Sequence, residues 1–393
     1  MGRFREALAR PGLQAIAEVK RKSPSAGELR PDADPAALAK GFAEAGAAAI
    51  SVLVDERFAG SVDDLRAARA ATGAPLIGKG FFSEEAQIRE LAGAGADAFL
   101  LILRDLSDEQ VTRLRAYGAE LGLDALIEAH DAEELKRGLA LGADCLGVNC
   151  RNLVDFSIDR RAQLELVARI PRDRVIVAES GIWSRAQGAA AELAGASAVL
   201  VGSALMRAPD PAAKLKELIS RPLVKVCGLT RQEDVDAAAE AGADLAGFIL
   251  AAESPRQAPG VLEVPETMLS VAVFVGERQE TSADLIQLYE REGGRRGRDA
   301  VLYLGEQAVA EVLDLPWESQ DAQHLARVAA AAREKRVILA GRLDPENVAA
   351  AIEQVRPWAV DAASALETAP GIKDHERLRR FVRAARLVTP ARV

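Results

Sequence analysis

Cysteine, histidine and aromatic side chains are scarce: the 393 residues include 3 Cys, 3 His and only 4% aromatics. Cys145, Cys150 and Cys227 are odd in number and form no CxxC pair, so neither a disulfide framework nor a zinc site is indicated. His130, His324 and His375 are scattered with no HExxH spacing, and the expected metal content is none. Positive charge is also short. With 50 basic against 59 acidic residues the net charge is −9, which argues against a general nucleic-acid or anionic-membrane surface. No window approaches the ~18 uninterrupted apolar residues of a membrane span. The stretch "MGRFREALARPG" lacks a signal-peptide core, so the cytoplasm is the expected compartment.

What is present is an ordinary globular balance, 49% hydrophobic and 28% charged, in a chain about twice the length of a typical ~100–200-residue domain. One phrase recurs: "AEAGAAAISVL" at 43–53, "AGAGADAFLLIL" at 92–103, "ALGADCLGVNC" at 140–150, "LAGASAVLVGS" at 193–203 and "EAGADLAGFIL" at 240–250. Each is the end of an Ala-rich helix, a Gly suited to the C-cap, then a short, continuously apolar run. Such runs fit parallel strands covered by helices on both faces. With further strands at 14–19, 75–79, 124–128 and 174–179, and leaving the phrase at 240–250 to the second half, eight strands before about residue 205 alternate with helices such as 35–46, 84–94, 107–121, 131–141, 159–169 and 184–194.

Repeats of roughly 25–30 residues point to α/β architecture of the TIM-type (β/α)8 barrel, although periodicity alone does not show closure. The pattern restarts near residue 221, giving expected domains 1–220 and 221–393. Strands in the second are expected at 222–227, 244–250, 270–275, 299–304, 336–341 and 358–361. Its length falls below the roughly 200 residues of a small complete barrel, so the second of two consecutive barrels is expected to be abridged.

In such barrels the C-terminal strand ends form the active-site mouth. The last inward positions of the first half are Glu18 and Lys20, Ser51, Lys79, Glu128, Asn149 with Arg151, Glu179 with Ser180, and Gly202 with Ser203. Glu18 and Lys20 share a face because side chains alternate along a strand. Any one Lys–Glu pair could be a structural plug; three carboxylates, two lysines and an arginine from five strands exceed what plugging needs. "AESGI" and "VLVGSAL" place Gly181, Gly202 and Ser203 at strand-to-helix turns suited to phosphate. A small phosphorylated substrate and acid–base chemistry follow, with a lysine lowered by neighbouring cations and a glutamate raised by an apolar wall.

"IAEVKRKSPSAG", "AISVLVDERFAGS", Lys79 after "PLIG", "LIEAH", "GVNCRNL", "VAESGI" and "VLVGSALM" make residues 3–215 resemble indole-3-glycerol phosphate synthase. That family, carbon–carbon lyases of tryptophan biosynthesis, closes the indole ring of 1-(2-carboxyphenylamino)-1-deoxyribulose 5-phosphate with loss of CO2 and water and with no cofactor. The resemblance implies that Lys79 is the general acid of closure, and that Glu128 and Lys20, with Glu18, manage proton transfers. It implies that Asn149, Glu179 and Ser180 orient the substrate, and that Ser23, Arg151, Gly181, Gly202 and Ser203 surround the phosphate. Two departures are a short segment before the first strand and Gly80 where the family commonly has an acid; both are expected to affect affinity or loop behaviour more than chemistry.

"VKVCGLT", "GFILAAESPR", "VAVFV", "ILAGRLDPENV" and "PGIKD" make the second half resemble phosphoribosylanthranilate isomerase, found fused behind the synthase in some bacteria. The resemblance implies that Cys227 is a general base and that the two barrels dock within one chain. The motif carrying the family's acidic aspartate and glycine-rich phosphate loop is not found, and Arg342 stands where a glycine is expected. Asp314 and Asp361 are the remaining acid candidates. Three expectations stay open: a catalytically weak scaffold, a fully bifunctional enzyme, or a metabolite-binding module using Arg256 and Arg342.

Overall fold

The computed structural model describes residues 2–23, 27–151, 157–292, 295–314 and 322–388. The chain divides into two compact units, one of Met1–Trp183 with Gly188–Ile219, the other of Ser184–Gln187 with Ser220–Val393.

The first unit holds helix α1 (Arg3–Leu8), strand β1 (Gln14–Val19) and a short hairpin of β2 (Lys22–Ser23) and β3 (Gly27–Glu28). It continues α2 (Pro35–Ala45), β4 (Ala49–Leu53), α3 (Val62–Ala71), β5 (Leu76–Lys79), α4 (Glu85–Gly93), β6 (Ala98–Ile102), α5 (Asp108–Glu120) and β7 (Asp124–Ala129). Then come α6 (Ala132–Ala140), β8 (Cys145–Asn149), α7 (Arg160–Ala168), β9 (Val175–Glu179), α8 (Arg185–Ala194), β10 (Ala198–Val201), α9 (Ser203–Arg207) and α10 (Pro211–Ile219). β1 pairs in parallel with both β4 and β10, which closes the barrel and rules out the open sheet.

Local chemistry sets these boundaries. Asp34, Ser61, Ser107, Asp131 and Asp159 each accept from backbone N–H groups at a helix start, where four donors otherwise lack partners. Gly46 ends α2 at φ 97, a left-handed position open to glycine. The N-terminal end of the barrel is plugged by Phe4 and Leu8 of α1, which share a buried cluster with Ile16, Ile77, Leu126 and Val177. Asp124 tethers that helix by accepting from Gly2 N at 3.2 Å and Arg5 N at 3.0 Å. With one end filled by hydrocarbon, polar side chains converge at the other.

The second unit contains β11 (Leu223–Cys227), α11 (Gln232–Ala241), β12 (Leu245–Ile249), β13 (Leu269–Val275), β14 (Leu285–Glu292), β15 (Arg295–Leu304) and β16 (Gln307–Asp314). It ends with α12 (Ala322–Glu334), β17 (Val337–Ala340), α13 (Val348–Val355), β18 (Ala359–Ala362), a hairpin of β19 (Glu367–Ala369) and β20 (Ile372–Lys373), and α14 (His375–Leu387). Its barrel also closes with eight strands. The six-strand expectation is therefore corrected: β14 and β16 are additional, and β15 runs antiparallel to both neighbours.

The reason lies in patterning. Along β14, Leu285, Gln287 and Tyr289 are buried and alternate with less buried Ile286 and Leu288, unlike the continuously apolar runs of helix-covered strands. Antiparallel neighbours need only a tight turn, whereas parallel ones need a crossover of a dozen or more residues. The abridgement removes helices and keeps the ring of strands. The apolar core lies between the remaining helices and the sheet, with Val224, Val226, Leu339, Val360, Leu378 and Phe381 all buried.

Candidate active site

At the mouth of the first barrel, β1, β5, β7, β8 and β9 deliver Glu18, Lys79, Glu128, Asn149 and Glu179 from five strand ends, with Lys20 one residue past β1. All of these but Glu179 border an open cleft of about 140 Å³. Eleven of the twelve expected site residues line it: Glu18, Lys20, Ser23, Lys79, Glu128, Asn149, Arg151, Ser180, Gly181, Gly202 and Ser203. The twelfth, Glu179, is fully buried with its carboxylate on Lys79.

Lys79 is the hub. Its Nζ lies 2.5 Å from Glu179 Oε2, 3.6 Å from Glu128 Oε2 and 3.8 Å from Glu18 Oε2. Lys20 Nζ sits 2.6 Å from Glu18 Oε1. Asn149 Nδ2 donates to Glu128 Oε1 at 3.2 Å, and Asn149 Oδ1 accepts from Arg151 N at 3.1 Å.

This corrects the expectation of a lysine lowered by nearby cations. Burial would lower Lys79, but Glu179, Glu128 and Glu18 converge on it and their attraction wins, so its ammonium is raised. The carboxylates split. Burial pushes Glu179 up to about 8, reinforced by repulsion from Glu128, although Lys79 opposes the shift. Burial acts on Glu128 too, but Lys79, His130 and Asn149 outweigh it and bring it down to about 2. Glu18 is lowered because Lys20 and Lys79 overcome its burial. Two neighbouring carboxyls with opposite shifts make one a proton holder and the other a base.

Two glycines make room for these groups. A Cβ on Gly147 of β8 would collide with Glu179 Oε1, and one on Gly202 would collide with Glu18 Oε1. Gly147→Ala is therefore expected to displace Glu179 from Lys79, costing about 1–3 kcal/mol of stability for overpacking together with a drop in kcat. Thermal melts and steady-state kinetics check it; wild-type values on both would show that the wall yields.

The rest of the cleft is apolar, formed by Leu53, Phe58, Phe81, Ile102, Ile182 and Trp183. Phe58 stacks on Phe81 with ring centroids 6.5 Å apart, and the Arg57 guanidinium lies 3.6 Å over the Phe81 ring. The sequence reading passed over this wall, whose only trace is "DERFAGS" and the "FF" after Lys79. After β9, Ser180 at φ 68 and Gly181 at φ 71 make consecutive left-handed residues. For a serine that conformation is strained, a feature concentrated at functional sites. Residues 24–26 and 152–156, which follow Ser23 and Arg151, lie outside the described residues.

In the second barrel, Cys227 ends β11 with its Sγ against Gly247, where a Cβ would stand 2.8 Å away. Burial raises its thiol even though Lys225 favours the thiolate. Lys225 Nζ is held by Asp361 Oδ2 at 2.6 Å and Gln287 Oε1 at 2.8 Å. Arg256, expected as an anion contact, instead directs Nε at Glu367, 2.9 Å from Oε1 and 2.8 Å from Oε2. That carboxylate replaces a ligand as its anion. Asp314 stands at the end of β16 opposite Ala340, with Arg296 Nη2 at 3.2 Å from Oδ2. Residues 315–321, where a phosphate loop would follow, lie outside the described residues.

A closed barrel whose strand ends gather two lysines and three glutamates beside one half-apolar cleft defines a barrel enzyme of proton-transfer chemistry. Comparison with known proteins makes the class particular. The family model described as indole-3-glycerol phosphate synthase matches residues 2–218, and the one described as N-(5'phosphoribosyl)anthranilate (PRA) isomerase matches residues 318–384. Indole-3-glycerol phosphate synthase 2 of Streptomyces coelicolor is 46% identical over 217 residues, 55% of this chain and 84% of the relative. The synthase of a Nocardioides species is 47% identical over 208 residues, 53% of this chain and 80% of its own. The multifunctional tryptophan biosynthesis protein of Phycomyces blakesleeanus is 33% identical over 481 residues, 95% of this chain but 62% of that longer protein. The chain belongs to the indole-3-glycerol phosphate synthase family, carboxy-lyases of tryptophan biosynthesis, and carries a PRA isomerase-related domain behind the synthase domain.

Proposed function

We propose that the first barrel converts 1-(2-carboxyphenylamino)-1-deoxyribulose 5-phosphate into indole-3-glycerol phosphate, releasing CO2 and water without a cofactor. The observation that carries this reading is the convergence of Lys79 with Glu128 and Glu179 beside an aromatic wall. Joining the aryl ring to the ketone carbon loads negative charge onto the carbonyl oxygen, and a charged ammonium in a dry cleft meets that charge with a proton. Lys79 takes this role. Glu128, already ionised, accepts the proton released afterwards, and Lys20 beside Glu18 assists departure of the hydroxyl. Glu128, which lines the cleft, has no hydrogen-bond partner on Oε2, so that oxygen keeps acceptor capacity. Ser23, Arg151, Gly181, Gly202 and Ser203 take the phosphate end. Purified chain supplied with this substrate is expected to form indole-3-glycerol phosphate; no product at any pH from 5 to 9 would overturn the reading.

For the second barrel we infer weak isomerase turnover. Its thiol is held protonated, Lys225 and Asp361 neutralise each other, and Arg256 is occupied by Glu367. One observation favours full bifunctionality: Asp314 lies at a mouth-side strand end and burial raises its carboxyl despite Arg296, as a general acid requires. Phosphoribosylanthranilate supplied to the full chain is expected to isomerise far more slowly than ring closure proceeds. Comparable rates, abolished by both Cys227→Ala and Asp314→Asn, would establish the bifunctional reading instead.

A further inference from the structure

Behind Glu128, away from the cleft, lies a polar chain that the synthase chemistry above does not use. His130 follows Glu128 by two residues at the end of β7 and turns its ring into the wall, where its side chain is 4% exposed. Its Nε2 lies 3.2 Å from Glu128 Oε1, an ion-pair distance without hydrogen-bond alignment, and its Nδ1 lies 3.1 Å from Glu134 Oε2 on the first turn of α6. The same Glu134 oxygen accepts from His130 N at 2.8 Å, while Arg104 Nε donates to Glu134 Oε1 at 3.1 Å. Glu134 is itself held at the helix start, its N donating to Asp131 Oδ1 at 2.8 Å.

The chain acts on one oxygen of Glu128. Oε1 receives Asn149 Nδ2 at 3.2 Å and faces His130, whereas Oε2 faces Lys79 at 3.6 Å. A carboxylate pinned through one oxygen has its other oxygen aimed. His130 does not border the cleft and so touches no substrate. The charged groups around its ring are Glu128 on its own strand, Glu134 on α6 and Arg104 between β6 and α5. Two anions outweigh one cation.

We propose that His130, braced by Glu134 and Arg104, is a positioning residue for ring closure: as an imidazolium it fixes Glu128 through Oε1 and keeps that carboxylate ionised with Oε2 directed at the reacting centre. Titration supports the geometry. Burial would lower His130, but Glu128 and Glu134 lift it to about 9, leaving the ring charged across the neutral range. A histidine serving only to fill space needs neither anion.

This inference rests on the synthase reading, so wild-type ring closure is measured first; its absence removes that reading, whereas every arm below compares variants with an active wild type. His130→Phe keeps the ring and removes both nitrogens. Expected is a loss in kcat of about 10–100-fold, a fraction of full acid–base catalysis, with KM within about twofold. The acid limb of the kcat profile should move to higher pH, because Glu128 loses the imidazolium that holds it down. Glu134→Gln is expected to move the alkaline limb the other way, to lower pH, because His130 loses an anion and gives up its proton sooner. Imidazole NMR follows that titration directly in a chain with 3 histidines. If His130→Phe fails to fold, the Glu134→Gln profile and the NMR titration decide alone. Unmoved limbs in the folded variants, or an imidazole that titrates near 6.5 in the wild type, would overturn the proposal.

Discussion

Replacing Lys79 by Met is expected to abolish ring closure while the barrel still folds. Three carboxylates point at its ammonium from β1, β7 and β9, so no other cation can take the same position. Lys20 is engaged 2.6 Å from Glu18, on the opposite side of that glutamate's carboxylate. With the ammonium gone, the developing alkoxide meets only carboxyl groups. The loss is expected to reach or exceed the ~10²–10⁴-fold contribution of a positioned acid, with most of it in kcat. Folding survives because Met matches the length of the lysine stem and Glu179, already pushed up to about 8, stays neutral when its partner leaves. Product fluorescence and a far-UV melt test both halves. Turnover within tenfold of wild type would remove Lys79 from the acid role.

Glu128→Gln and Glu179→Gln are expected to part company at neutral pH. Glu128, brought down to about 2, works as a carboxylate, and an amide cannot accept its proton; a fall of ~10²–10⁴-fold follows. Glu179 already carries a proton below about 8, and glutamine imitates that neutral form. Its variant should retain most activity at pH 7 and lose the step expected near pH 8, leaving the later alkaline limb that deprotonation of His130 sets near 9. The sign for stability follows from the same shift. Between the unfolded value of 4.5 and about 8 the folded chain binds a proton that the unfolded chain releases, so this group makes stability fall as pH rises through that window. Glu179→Gln flattens that slope. Equal losses in both variants, or an unchanged step near pH 8 in Glu179→Gln, would contradict the division of labour.

Much of the first barrel was legible because each unit repeats a local rule. Continuously apolar runs mark strands covered on both faces, and polar residues at their ends mark the mouth. Glu18, Lys79, Glu128 and Asn149 were found in this way, each as the one polar residue closing an apolar segment. The second barrel was less legible. "LIQLYERE" alternates and carries charge, so it reads as exposed chain until the strands beside it supply the pairing that makes it β14. A reversed strand has no crossover helix, and hence no helical period to announce it.

Within the site, the residue types followed from the sequence and their states did not. Lysine and glutamate at strand ends establish that acid and base are available, because strand geometry sends alternate side chains to one face. The direction of each proton depends on distances between strands far apart in the chain: Lys79 and Glu179 are separated by 100 residues and meet at 2.5 Å. The eight-unit repeat of the first barrel, the charged mouth and the family resemblance of both halves are written in the order of residues alone. That Lys79 is raised by three carboxylates, that Gly147 clears space for Glu179 and that His130 stands behind Glu128 emerge from the folded barrel. Electrostatics act through space, and which charges share a dry cleft is settled when the barrel closes.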